Sequence, residues 1–231
     1  MTYLILHGGA GPQSVTGITG MLSTSDTVVT PTHPGFGGTP RPDGLDSMKG
    51  LAVHYADLLE DQGLTDVTVV GNSIGGWIAA ELALLHSPRV ARLVLVDAAG
   101  LQVDADPVAD FFSLTMDQIA DLSYYDPDGF RIDLSTFSDA QKAVFAGNRA
   151  ALLTYGGTGM VDPTLRDRLS GITVPTLVVW GAADRMVPLA HGHAYADGIP
   201  GARLEIIPDA GHLPQLETPD KLVKLIREFA S

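Results

Sequence analysis

Six short apolar runs rich in β-branched residues punctuate the chain: Tyr3 to Leu6, Thr27 to Thr30, Val67 to Val70, Leu93 to Val96, Thr176 to Trp180 and Arg203 to Ile207. They are nearly continuous rather than alternating, the pattern of strands buried on both faces. Between them, Leu45 to Gln62, Ile74 to His86, Leu189 to Asp197 and Pro219 to Phe229 carry apolar residues at helical spacing, and Gly63 is placed to cap the first of these. Strand, turn cluster and helix in repeated succession predict an α/β fold of βαβ units around a parallel sheet. No repeat, low-complexity tract or linker divides the chain.

The rhythm breaks from about Leu101 to Leu169, where strand signals fade. Leu101 to Asp139 alone holds nine Asp against the single Arg131, a net charge of −8. A stretch of this length is too long for a plain loop, and it predicts a helical lid over 101–170, inserted between core segments 1–100 and 171–231. Ordinary helices packed on the sheet are the alternative. The aromatic residues here, Phe111, Phe112, Tyr124, Tyr125, Phe130, Phe137 and Tyr155, are expected more in the segment's own core than on a substrate.

Composition narrows the function classes. The 231 residues are 45% hydrophobic, ample for one core, and carry a net charge of −13, which repels nucleic-acid backbones and anionic lipid headgroups. A small-molecule substrate is therefore expected, with neither nucleic acid nor membrane as a partner, and the chain as monomer or homodimer. The absence of cysteine excludes disulfides, thiolate nucleophiles and Cys-ligated metals. The N-terminus has no basic stretch before its apolar residues, so a cytoplasmic location is expected. His191 and His193 stand two apart, which on a helix points them to different faces, and no metal or cofactor is expected.

The sharpest chemical signal is Gly71-Asn72-Ser73-Ile74-Gly75-Gly76, a Gly-x-Ser-x-Gly set between a strand and a helix. Such a tight turn exposes the Ser73 hydroxyl at the carboxyl end of the sheet, beside helix-terminal N–H groups. A hydroxyl needs a base, and the base needs an orienting acid. Asp209-Ala210-Gly211-His212 follows the last strand signal and Trp180-Gly181-Ala182-Ala183-Asp184 the one before it. Ser73, Asp184 and His212 thus occur in the order nucleophile, acid, base. Asp97, at another strand end, is a second candidate acid whose simpler role is to cap a turn. Oxyanion donors are expected from the Ile74 N–H and from the glycine-rich loop Leu6 to Gly11, where Gly9 is preferred and Ala10 stands next to it. His7 reads as ordering that loop, and His33, before Pro34, as a solvated turn residue.

These segments, together with Pro34-Gly35-Phe36-Gly37-Gly38-Thr39 and Val174 to Asp184, resemble the α/β-hydrolase superfamily, in particular its lid-bearing esterases and carbon–carbon bond hydrolases. The likeness covers 1–100 and 171–231. It implies Ser73 as nucleophile, Asp184 as acid, His212 as base and the Gly9 and Ile74 N–H groups as oxyanion hole. Relatives carry an antiparallel strand pair ahead of the first His-Gly loop; this chain starts on that loop's strand, so a reduced sheet of about six strands is expected. Serine at position 73 disfavours the haloalkane and epoxide chemistries that need aspartate there.

The resulting expectation is a serine hydrolase of small to medium carboxylic esters acting through an acyl-enzyme. The alternatives are a carbon–carbon bond hydrolase of dienone acids, with Arg149, Arg166 or Arg168 anchoring a carboxylate, and a non-catalytic binding protein. Leu213, where carbon–carbon hydrolases often have an aromatic residue after the histidine, ranks the first alternative below the esterase.

Overall fold

The computed structural model describes residues 1–231. Six strands, β1 (Thr2–Leu6), β2 (Thr27–Val29), β3 (Val67–Asn72), β4 (Val90–Val96), β5 (Thr176–Gly181) and β6 (Arg203–Ile207), form one sheet. All pairings are parallel and the order is β2-β1-β3-β4-β5-β6. The three-residue β2 pairs with β1, so the edge strands of the sheet are β2 and β6.

Alternate residues of each strand feed two cores, which is why the runs read as continuously apolar. Leu4, Leu6, Val67, Val69, Leu93, Leu95 and Val178 pack with helices α2 (Met48–Asp61), α3 (Ile74–Leu84) and α7 (Leu189–Gly198). Tyr3, Ile5, Val70, Val94, Val96, Leu177 and Val179 pack on the other face with α1 (Thr16–Leu22) and α9 (Pro219–Ala230). Removing both sheet faces from water is the main stabilisation of such a fold. Helix α2 ends as its glycine predicts: Gly63 adopts φ 62°, and the Gly63 and Leu64 N–H groups donate to Glu60 and Leu59 carbonyls at 2.9 Å each.

The segment between β4 and β5 contains α4 (Met116–Ser123), α5 (Asp139–Gly156) and α6 (Leu165–Arg168) joined by turns, and no sheet strand. Capping boxes at Thr115 and Ser138 start α4 and α5. Helix α5 is tied to the rest of the chain, since Asn148 Oδ1 accepts the Gly37 N–H at 2.7 Å and the Tyr155 hydroxyl donates to the Pro34 carbonyl at 2.9 Å. A last short helix, α8 (Pro214–Glu217), precedes α9. No helix is long and apolar enough to cross a membrane.

Candidate active site

Ser73 sits between β3 and α3 at φ 55° and ψ −118°, a strained conformation for a residue with a Cβ. The flanking glycines make the turn possible. A Cβ on Gly71 would run into the Gly75 carbonyl, and one on Gly75 into the Leu6 carbonyl. The Ser73 N–H donates to the Val96 carbonyl at 3.0 Å, while its carbonyl accepts from Gly76, Trp77 and Ala99. The hydroxyl is thereby fixed above the carboxyl ends of β3 and β4.

His212 reaches it from the loop after β6, and Asp184 from the loop after β5. The Ser73 hydroxyl faces His212 Nε2 at 2.9 Å, and His212 Nδ1–H donates to Asp184 Oδ2 at 2.7 Å. The remaining Asp184 oxygen accepts the Met186 and Val187 N–H groups at 2.9 and 2.8 Å. All three residues are buried. Residues 139 and 28 positions apart in the chain are thus joined in one hydrogen-bonded relay, which can move a proton from the Ser73 hydroxyl to a held imidazole.

The histidine loop is itself anchored. The His212 N–H donates to the Ser123 carbonyl at 2.6 Å, and the His212 carbonyl accepts from Asn72 Nδ2 at 3.1 Å. Gln215 Nε2 in turn donates to Asn72 Oδ1 at 3.0 Å, so Asn72 spans from the elbow to the loop. Sequence reasoning missed Ser123, Gln215 and also Glu217, whose carboxylate accepts the N–H of Gly211 next to His212. Asn72 lies inside the Gly-x-Ser-x-Gly motif, but side chains that hold a loop carry no distinctive pattern.

Gly9 and Ile74 both border the cavity at Ser73. The Gly9 N–H donates to no backbone carbonyl, and Ile74, as first residue of α3, has no acceptor within its helix. The Gly9 loop rests on two histidines. His7 Nδ1–H donates to the Gly8 carbonyl at 2.8 Å, and its Nε2 accepts the His33 N–H at 3.1 Å. His33 Nε2–H donates to the His7 carbonyl at 2.8 Å, and its Nδ1 accepts from the Tyr55 hydroxyl. Burial pushes His7 down to about 4 and His33 well below the usual imidazole range, so both are neutral. The expectation for His33 is therefore corrected: it is fully buried, because Tyr55 and His7 use both ring nitrogens.

Asp97 is not the residue that meets the imidazole. One oxygen of Asp97, one of Asp184 and a ring nitrogen of His212 nevertheless lie within 4.8 Å of one another. This is the one cluster with metal-ligand composition, but two of its three members are already engaged with the protein: Asp184 with three N–H groups and His212 with Ser73 and Asp184. His191 is buried with Nε2 on the Asp106 carbonyl, whereas His193 is exposed.

A cavity of about 590 Å³ opens on Ser73 and His212, and 20 of its 29 lining residues are hydrophobic. Phe111, Tyr124, Phe130 and Phe137 line it, so these aromatics of the β4–β5 segment face the cavity, contrary to expectation. Tyr155 instead packs in the core, as does Trp77. Arg149 is the single permanently charged side chain of the lining; it lies 5.0 and 5.1 Å from the Phe111 and Phe112 ring centres. Arg168 is committed elsewhere, to Glu81 through two bonds of 2.7 Å, and Arg166 is exposed.

The sequence model of the alpha/beta hydrolase family matches residues 3–225. A pimeloyl-[acyl-carrier protein] methyl ester esterase of Aromatoleum aromaticum is 31% identical over 97% of this chain and 96% of its own length. A 2-hydroxymuconate semialdehyde hydrolase of Pseudomonas putida is 31% identical over 98% of this chain and 85% of its own. Among solved structures, a variant of the meta-cleavage product hydrolase of Pseudomonas fluorescens IP01 superposes with a TM-score of 0.79, at 24% identity, over 99% of this chain and 90% of that one. At that identity the superposition speaks for the fold alone.

Proposed function

The chain belongs to the alpha/beta hydrolase family, and on that premise we propose that it is a serine hydrolase cleaving small to medium carboxylic esters. The observation that carries the reading is the relay from Ser73 Oγ through His212 to Asp184, at 2.9 and 2.7 Å, on the floor of an apolar cavity. In this account His212 Nε2 takes the Ser73 proton as Oγ attacks the ester carbonyl. The Gly9 and Ile74 N–H groups hold the oxyanion, and His212 returns the proton to the leaving alcohol. Asp184 orients the imidazole and faces its charged form. Water then repeats the sequence on the acyl-enzyme and releases the acid. The β4–β5 segment, 101–170, acts as the lid of the site, and its cavity-facing aromatics receive the acyl or alcohol group.

The test is turnover of p-nitrophenyl acetate and butyrate by the parent, Ser73→Ala and His212→Ala chains. Hydrolysis by the parent alone supports the reading. A folded parent that cleaves neither ester overturns it in favour of one of two others.

One observation favours a second reading, carbon–carbon bond hydrolysis of a dienone acid. Arg149 lines the cavity without a carboxylate partner, and its neighbours are two aromatic faces and the Phe112 carbonyl. Loss of the absorbance of an added dienone acid, weakened in KM by Arg149→Met, would select it. Equal ligand affinity with and without the Ser73 hydroxyl, and no turnover of either substrate, would point to a binding protein.

A further inference from the structure

The carboxyl of Asp97 is an unused ionisable group beside the relay. Val96, the last residue of β4, pairs with Val179, two residues before β5 ends at Gly181, so Asp97 leaves β4 beside the end of β5, whose following loop brings Asp184 back to the same place. The Asp97 N–H donates to the Val179 carbonyl at 3.0 Å, and Asp97 Oδ1 accepts the Gly181 N–H at 2.8 Å. Its Oδ2 is buried and has no hydrogen-bond donor facing it. The side chain is fully buried, and carboxyl oxygens of Asp97 and Asp184 lie within 4.8 Å of each other.

Two charged carboxylates at that separation, out of water, repel strongly, so the pair keeps one charge and one proton. The donors decide where each goes. Asp184 accepts three N–H groups, including the imidazole, whereas Asp97 accepts one. A buried oxygen with no donor, next to an anion, is the place for a hydroxyl that donates. The groups facing Asp97 point the same way: burial and the Asp184 charge push its carboxyl well above the usual range, Glu217 adds to this, and the Gly181 N–H opposes it.

We propose that Asp97 is a positioning residue, a neutral carboxylic acid whose O–H donates to the Asp184 carboxylate and helps fix that carboxylate against His212. The proposal rests on the hydrolase reading of the relay. It gives Asp184 a fourth donor and leaves the imidazolium facing one negative charge rather than two. The backbone of Asp97 lies in the left-handed region at φ 46°, which asparagine also tolerates, and an asparagine NH2 can donate where the acid does.

The experiment compares the parent, Asp97→Asn and Asp97→Ala. Infrared spectra at pH 7 read the proton directly: the parent shows a protonated-carboxyl C=O band that Asp97→Asn lacks. Kinetics read the role. Asp97→Asn keeps kcat within about threefold, with the acid limb of its pH profile unmoved, while Asp97→Ala lowers kcat about tenfold at unchanged KM. The proposal is overturned if the band is absent from the parent and the acid limb of Asp97→Asn moves down by about a unit, the signature of a lost negative charge. It is equally overturned if Asp97→Ala keeps the parent's kcat. The infrared measurement needs no turnover, so an inactive parent would count against the hydrolase reading while the Asp97 proton is still read.

Discussion

Glu217 Oε2 accepts the Gly211 N–H at 2.7 Å, one residue before His212. Its other oxygen accepts the N–H groups of Tyr125 and Asp126 at 2.7 and 3.3 Å. One carboxylate therefore ties the histidine loop to the chain that leaves α4. The Ser123 carbonyl reinforces the tie by accepting the His212 N–H, and Arg185 adds to it by donating to the carbonyls of Leu122 and Asp121. The C-terminal end of α4 is thus fastened to both loops that carry the base and the acid.

Replacing Glu217 with alanine removes three acceptor contacts and leaves their N–H donors to find water. We expect kcat for an ester to fall about tenfold with KM little changed, and stability to fall by about 1 to 3 kcal/mol. Steady-state kinetics alongside a urea titration check both. An unchanged kcat would mean that the Ser123 and Asn72 contacts hold the loop without Glu217.

The neutral histidines under the Gly9 loop predict acid sensitivity. His7 is held down to about 4 by burial, and an unfolded chain takes up protons at His7 near pH 6.5. Between these values the unfolded state binds more protons, so stability is full above about pH 6.5 and is lost as pH falls. His7 accounts for about 2 kcal/mol between pH 7 and pH 5, and His33 acts in the same direction. Asp97 has the opposite slope, since its raised folded value makes stability fall as pH rises. Denaturant unfolding is best followed in Asp97→Asn, which removes that opposing slope; buried His191 acts in the same direction as His7 and His33. A flat profile there from pH 7 to pH 5 would falsify the neutral-histidine account.

Helix α3 is buried along ten consecutive residues, Glu81 included, and that carboxylate is matched by Arg168, which also reaches Asp162 at 2.8 Å. Arg168→Met leaves the Glu81 charge buried without its partner and is expected to cost about 3 to 5 kcal/mol. Adding Glu81→Gln should recover much of the loss. Urea midpoints of the single and double variants measure this, and additive losses would show that the two residues do not act as a pair.

The strands, the main helices and the residues of the relay were legible because each rests on local chemistry. Continuous apolar runs mark doubly covered strands, and glycines at 71, 75, 181 and 211 mark backbone approaches too close for a Cβ. What stayed hidden depends on partners distant in sequence. Helix α1 holds two glycines and two threonines in seven residues, a poor helical sequence, and forms because Ile18 and Leu22 join the core with Leu222, Val223 and Ile226 of α9. His33 looked solvated beside Pro34, and only Tyr55 and His7 explain its burial. That Phe130 and Phe137 line the cavity likewise depends on how the β4–β5 segment folds back over Ser73, which aromatic spacing does not encode.

The most direct test of the central claim is covalent labelling by a fluorophosphonate, which reports an activated serine without requiring the right substrate. The account predicts labelling of the parent at Ser73, located by peptide mass, and none in Ser73→Ala or His212→Ala. Absence of labelling in the folded parent, or equal labelling of His212→Ala, would contradict it.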